Sequence, residues 1–337
     1  VQKQQPNVAR RLQQLRIARD NDSVLELPMG TFCRNPFPCP YVARCRREAP
    51  PLPLLRLPDL SRAQEIELHK EGIEDLSELQ PDREGLTFRQ RRTLACIQQR
   101  QRLVEPFVRE ELRETERPLH FLSIALVTDA LPQFDLQRPW QRTPYAWAVR
   151  TIHANGREEI ASFAQLDRED PRPEFVRSLA DHLEVGGTII CWDDEPIREM
   201  RTLLDSIPGE KASVRTLLAQ EYVDMMKLFE AGVFDPGLDD YKRLAEVVAA
   251  LLDDRSGRDI SALDPDHRFE MLSRARAPRV RSSTREKLAE ELLTALDWQA
   301  AQLVRLFETF AETELRTPAK AHTARARPAR PLPKLPE

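Results

Sequence analysis

Apolar positions along this chain change their spacing several times, and each change predicts a different kind of element. In residues 1–30, Val8, Leu12, Leu15 and Ile17 fall near helical spacing and predict a short helix, followed by an extended stretch. Residues 31–58 are rich in proline and show no period, so regular structure is not expected there. Ser61 with Gln64 three residues on is a capping-box pattern that starts a helix, and Gly72 is placed to end it. A second, longer helix is predicted over 87–116, interrupted near Pro106. Residues 119–127 (LHFLSIALV) then form a nearly continuous apolar run, as a buried strand would. Residues 145–153 alternate, and 159–164 can pair with them around the turn Asn155-Gly156. Residues 173–183 look helical, and 188–192 (TIICW) are a second buried-strand run, approached through Gly186-Gly187. Helices are predicted at 195–206, 211–230, 239–253 and 267–275. This order predicts an α/β fold, a mixed sheet flanked by helices. Residues 284–315 predict a long amphipathic helix, with Ser283 and Glu286 as its capping box and Leu288, Leu292, Leu296, Leu303 and Phe307 on one face. From Arg316 the chain has five prolines, six basic residues and no period, so a disordered tail is expected.

Composition narrows the function. The 337 residues are 41% hydrophobic and 31% charged, enough for a core in a chain of this length. The ten glycines form neither GxGxxG nor GxxxxGK[ST], which excludes the common glycine-rich phosphate cradles. No apolar run approaches the roughly 18 to 20 residues of a membrane span, and no secretory leader precedes residue 30, so a cytoplasmic, reduced setting is expected. The net charge of −4 is uneven: +3 over residues 1–117, −10 over 118–263, −2 over 264–315 and +5 over 316–337.

The densest chemistry lies in Cys33, Cys39 and Cys45, evenly spaced in the proline-rich loop. Thiolates so spaced suit an iron–sulfur cluster or zinc, although a fourth ligand is missing unless Cys96 or Cys191 folds back or a partner supplies it. The alternative is three unrelated buried thiols. Arg89, Arg91, Arg92, Arg100 and Arg102 form a basic stripe on the 87–116 helix. Arg89, Arg92 and Arg100 are the candidates for nucleic-acid contact, with a solvated helix face as the plainer reading. The basic tail is a second candidate for nucleic acid or an acidic partner. The six histidines are scattered, and Trp140, Trp147, Trp192 and Trp298 read as core or interface residues.

The segment GTFCRNPFPCPYVARC resembles the cysteine region of a bacterial nuclease-like family of unknown function. In that family a CRISPR-associated PD-(D/E)xK-type nuclease core, holding an iron–sulfur cluster, is joined to a C-terminal exonuclease-like domain of the DEDD kind. HKEGIEDLSEL, the run from Pro118 to Arg150, DREDPRPEFVRSLADHLEVGGTIICWDDE and VDMMKLFEAGVFDPGLDDYKRLAEVVAAL follow in the family's order, so the resemblance covers residues 20–263. It implies a ribonuclease H-like sheet whose first strand carries Asp-x-Glu for two catalytic metals. Here those positions are Ser123 and Ala125. Neither neutralises a divalent cation, so a magnesium clamp is expected to fail. The family's YN-x-x-FE has become Trp192-Asp193-Asp194-Glu195, its third acid survives as Asp224, and of its GSySlK only Gly237 and Lys242 remain.

The resemblance and the residue pattern together divide the chain into five expected parts: a Cys-rich nuclease remnant (1–58), a helical linker (59–117), a degenerate exonuclease-like domain (118–278), the long helix (279–315) and the tail (316–337). The expected role is structural or nucleic-acid-associated and without catalysis. The opening Val, in place of Met, suggests the rear part of a larger design, whose PD-(D/E)xK core would be a separate subunit and bring the fourth cysteine. Two alternatives stand beside it. One is an active metal-dependent 3'-5' exonuclease with rearranged acids, using Asp193, Asp194, Glu195 and Asp224, with Asp129 and Asp135 as weaker substitutes and Lys242 as a residual candidate. Its plainer counterpart is that Asp193 or Asp194 caps the next helix. The other is an interaction module whose C-terminal helix pairs with a second copy.

Overall fold

The capping box at Ser61 forms as its spacing requires. Ser61 Oγ accepts the Gln64 N–H and Gln64 Oε1 accepts the Ser61 N–H, both at 3.1 Å. The computed structural model describes residues 5–20, 29–33, 39–183, 186–238 and 240–312. The chain falls into two units, Val1–Ala95 and Cys96–Glu337.

In the first unit, α1 (Gln5–Asp20) exposes Val8, Leu12, Leu15 and Ile17. The one-turn helix α2 (Val42–Cys45) sits within the proline-rich stretch. The helix α3 (Arg62–Lys70) runs from the Ser61 cap to Gly72, whose φ of +78° only glycine adopts freely. Glu65 on α3 is buried and accepts the Thr31 hydroxyl at 2.7 Å, tying the Thr31–Cys33 turn to the helix. Gly30 leaves the room for it: a Cβ there would lie 2.0 Å from Glu65 Oε1. Among the described residues, Cys33, Leu54, Leu55, Leu57, Leu68, Leu76, Leu79, Leu86 and Leu94 are the buried apolar residues of this unit.

The predicted 87–116 helix is two helices. α4 (Phe88–Gln99) stops at Arg100, which has a left-handed φ of +53°. The short strand β1 (Leu103–Val104) follows, and α5 (Pro106–Glu114) starts on Pro106, which has no N–H to lose at a first-turn position.

The second unit is an α/β fold. β2 (Leu119–Thr128), β3 (Arg142–Ile152) and β4 (Glu158–Ala164) form an antiparallel meander, with Gly156 at φ +76° in the predicted turn. α6 (Arg172–His182) crosses to β5 (Thr188–Cys191), which lies parallel to β2. α7 (Glu195–Ser206), α8 (Lys211–Leu218) and β6 (Glu221–Asp224) follow, with β6 parallel to β5. The sheet order is β4-β3-β2-β5-β6, so the first strand of the sheet is central. The 211–230 region is therefore not one helix: β6 divides it, and α9 (Met225–Gly232) starts afterwards with Asp224 accepting the Lys227 N–H at 2.9 Å. β7 (Val233–Phe234) pairs antiparallel with β1. α10 (Leu244–Leu252), α11 (Pro265–Ala275) and α12 (Ser282–Ala311) complete the unit. α12 begins at Ser282 with Arg281 as its cap residue, so the Ser283–Glu286 box does not form. The basic tail lies outside the described residues.

Side chains of β2 alternate between two cores. Leu119, Phe121, Ala125 and Val127 face α12, while Leu122 and Ile124 face α6, α7 and α8. The α12 residues predicted to share a face are all buried: Leu288, Leu292 and Leu296 against β2, β3 and α11, and Leu303 and Phe307 further along against β2, α5, α9 and α10. That stripe is thus covered within its own unit. Among the described residues no helix is long and apolar enough to cross a membrane.

Two consequences are measurable. His120 on β2 is fully buried, with Nδ1 2.9 Å from Thr151 Oγ1. Burial, aided by His182 and His153, pushes its pKa from 6.5 down to about 4. Between those values the unfolded chain binds the proton and the native one does not, so stability rises with pH through this window and is fully present above it. A shift of this size corresponds to about 3 kcal/mol. In urea titrations from pH 7 to pH 4.5 the wild type should lose most of that amount, and His120→Gln should remove most of this slope. Gly187, at φ +84°, has the Pro118 carbonyl oxygen 2.2 Å from where a Cβ would stand. Gly187→Ala should therefore cost about 3 kcal/mol in denaturant midpoints, from backbone strain plus overpacking.

Candidate functional site

The C-terminal ends of the parallel strands β5 and β6 bring together the acids that sequence singled out. Asp193 and Asp194 follow β5, Glu195 opens α7, and Asp224 ends β6. Each serves local structure. Asp193 Oδ1 accepts the Glu195 N–H at 2.9 Å, and the Asp193 carbonyl accepts the Tyr222 hydroxyl at 2.6 Å. Asp224 caps α9, and its other oxygen lies 3.1 Å from Lys227 Nζ. Lys227 Nζ also stands 3.1 Å from Asp194, which is bound in addition by Arg198 at 2.9 Å. A single ammonium thus bridges Asp194 and Asp224. Glu195 is paired with Arg142, and Arg142 reaches Glu199 at 3.7 Å.

These contacts shift the acids in opposite directions. The Lys227 hydrogen bond holds the Asp194 carboxyl below its usual range. Burial, joined by the charges of Asp224 and Asp194, pushes Asp193 up. Burial also raises Glu195 and drives the Tyr222 and Cys191 groups well up. Lys242 is exposed, its backbone N–H donates to Asp240 at 2.6 Å, and among the described residues no contact joins it to this cluster.

The first-strand positions are covered by α12. Ser123 and Ala125 lie on the α12 side of β2, and both are buried. Ser123 Oγ donates to Gln299 Oε1 on α12 at 2.7 Å, and the same oxygen accepts Arg268 Nη2 of α11 at 3.1 Å. A guanidinium therefore stands within two hydrogen bonds of the strand position where the resemblance implies a metal-binding acid. Arg268 also donates to the Ala262 carbonyl at 2.5 Å. Neither Arg268 nor Gln299 was legible as a site residue, because 31 positions separate them on two helices. Lys227 was legible in principle, three residues beyond Asp224 on a helix.

Two divalent metals need several carboxylates with free lone pairs. Here the donor set does not fit: the first strand offers a hydroxyl and a methyl, and two remaining acids already share an ammonium. Among the described residues, no three His, Cys, Asp or Glu side chains are grouped so as to hold a metal ion. Cys33, Cys39 and Cys45 are free thiols in the first unit; Cys33 is buried, and the Cys39 N–H donates to the Cys33 carbonyl at 2.9 Å. They do not stand as a ligand group either.

The basic stripe is partly engaged. Arg89 donates to Asp59 at 3.1 Å, and Arg92 lies over the Phe88 ring at 5.4 Å. Arg91 donates to the Leu86 carbonyl at 2.6 Å. Arg100 is exposed beyond the end of α4, and Arg102 is half-buried against Asp235 at 2.7 Å, tying the chain ahead of α5 to the turn after β7. Asp129 and Asp135 lie in the loop between β2 and β3, away from the strand position they were to replace; the Asp135 carbonyl accepts from Arg172 at 2.9 Å.

Residues 122–241, from within the central strand to the turn before α10, match the profile of a protein family described as a domain of unknown function, DUF2779. No curated protein matches the chain.

Proposed function

We propose that this chain is a non-catalytic member of a nuclease lineage, with a structural role beside a nuclease core. The sheet supports the lineage: its first strand is central, its second runs antiparallel, and its last two are parallel to the first, as in a ribonuclease H-like domain. The loss of catalysis is carried by one observation. The surviving acid Asp224 shares the Lys227 ammonium with its neighbour Asp194, and the first-strand face is closed by Ser123, Gln299 and Arg268. Cationic side chains thus neutralise what a metal pair would otherwise neutralise. An ammonium or guanidinium supplies charge, but it cannot lower the pKa of a bound water to make a nucleophile as a divalent metal does.

Nucleic acid enters this reading as a client of the assembly rather than of the acidic 118–263 segment, whose net charge of −10 opposes a polyanion. The test is hydrolysis of end-labelled single- and double-stranded DNA and RNA with Mg²⁺ or Mn²⁺. The expected outcome is turnover no greater than in a metal-free control. Metal-dependent cleavage by the wild type that disappears in Asp224→Ala would overturn the proposal and restore the exonuclease reading.

A further inference from the structure

A second charged cluster lies beside the loop that leaves the C-terminal end of β2. Arg172 opens α6 and is among the largest fully buried side chains, 1% exposed. Its Nε and Nη2 both donate to Asp170, at 2.8 and 2.7 Å, and Nη2 also reaches the Asp135 carbonyl at 2.9 Å. Its Nη1 is sealed from solvent and has no acceptor among the described residues. Arg276, just past α11, repeats the pattern. Its Nε donates to the Asp167 carbonyl at 2.8 Å, and its Nη2 is buried without an acceptor among the described residues. The two guanidinium carbons stand 5.4 and 5.9 Å from the centre of one ring, that of Phe134.

A buried charged donor without an acceptor is costly, and native structures seldom keep one without a reason. Two of them against a single ring are donors in need of an oxyanion. Of the neighbouring acids, Asp170 is committed to Arg172 and Asp167 to Gln165 and the Glu169 N–H, both at 3.1 Å, while Asp129 acts on Arg276 through its charge and makes no hydrogen bond to it among the described residues. Two planar guanidinia match a multiply charged group with several oxygens better than a lone carboxylate.

Phe134 belongs to the loop 129–141 that joins β2 to β3. Gln137 holds this loop: its Oε1 accepts the N–H groups of Gln133 and Phe134 at 2.9 and 3.2 Å, and its Nε2 donates to Thr143 at 2.8 Å. Leu136 and Trp140 take φ values of +59° and +62°, strained for bulky side chains. Trp140 is 70% exposed. The loop therefore lies over the arginines in a strained form, with the ring of Phe134 against both and the Asp135 carbonyl on Arg172.

We propose that Arg172 and Arg276 form a binding site for a phosphoryl oxyanion, closed in this structure by Phe134 and opened by displacement of the 129–141 loop. The site stands independently of whether the chain cleaves nucleic acid. The test titrates inorganic phosphate into the full chain at constant ionic strength set with KCl, reading the thermal midpoint and tryptophan emission. A saturable rise in the midpoint is expected, with an emission change that vanishes in Trp140→Phe while the thermal shift remains. Phe134→Ala should tighten binding by about tenfold and Arg276→Leu should weaken it by about tenfold or more, the scale of one charged hydrogen bond. Arg276→Lys should fall between. Arg276 is partly exposed, so it carries the test if Arg172 variants do not fold. Parallel titrations with AMP and with oligonucleotides with and without a 5'-phosphate separate the sources. A response confined to the phosphorylated oligonucleotide assigns a nucleic-acid end, and one confined to phosphate and AMP assigns a free phosphate. No saturable shift in either wild type or Phe134→Ala, or an unchanged shift in Arg276→Leu, would overturn the site.

Discussion

Everything in the second unit answers to the burial of β2 on both faces. Seven of its ten residues are buried and two more are partly so, and a strand so placed must be roofed twice. One roof is the α6–α8 layer; the other is α12, whose 30 residues, about 45 Å of helix, reach from the Ala125 end of the strand to the Phe121 end. Burial then dictates chemistry. Ser123 is the one hydroxyl on the α12 face of the buried part of the strand, and a buried hydroxyl needs a partner. Gln299 provides it, and the same carbonyl oxygen recruits Arg268. An acid at position 123 would face that guanidinium in place of solvent or a metal.

The same logic accounts for the charge of the central segment. Its excess of acid suggested an electrostatic role, yet the acids near the strand ends are spoken for. Asp194 and Asp224 hold Lys227, Glu195 holds Arg142, and Arg150 is clamped between Asp297 and Glu158 at 2.7 and 2.8 Å. Exposed pairs of this kind contribute little stability each. Their effect is local: they fix the side chains that they join.

Much of this fold was legible because each legible element carried its own signal. The Ser61 box, the Asn155-Gly156 turn and the apolar runs at 119–127 and 188–192 needed no distant partner. β6 did not carry such a signal. Four residues, EYVD, sit between helices whose Leu and Met residues continue a helical spacing, and only pairing with β5 makes them a strand. The break at Arg100 was hidden for a related reason, since a left-handed residue that is not glycine leaves no mark in the sequence. The acids were legible as a cluster, and their capping and pairing partners partly so. The Arg268–Gln299 contact was not, because it exists only once α11 and α12 have packed. Trp140 shows the limit of composition: three of the four tryptophans are at least partly buried, while this one is turned outward by a backbone that sequence does not reveal.

The irregularity of β3 links the buried strand to the arginines. The β2–β3 register slips at Ala125/Leu126: Ala125 pairs with Ala146 and Leu126 with Pro144, so Tyr145 is the extra residue. Pro144 has no N–H for the ladder, and a bulge is where a sheet tolerates that loss. The bulge aims Tyr145 into the core on the α12 side, where burial pushes its pKa up to about 12 while Arg268 and Arg276 both pull it down. One phenol thus feels both the guanidinium behind Ser123 and the guanidinium beneath Phe134. The strained 129–141 loop springs from this bulged end of the sheet, between strands too well buried to yield. The two ends of the loop are thus fixed by the same two-sided burial of β2 that placed Gln299 and Arg268 behind Ser123, while Leu136 and Trp140 take their positive φ between those ends, where a displacement leaves the strand register intact.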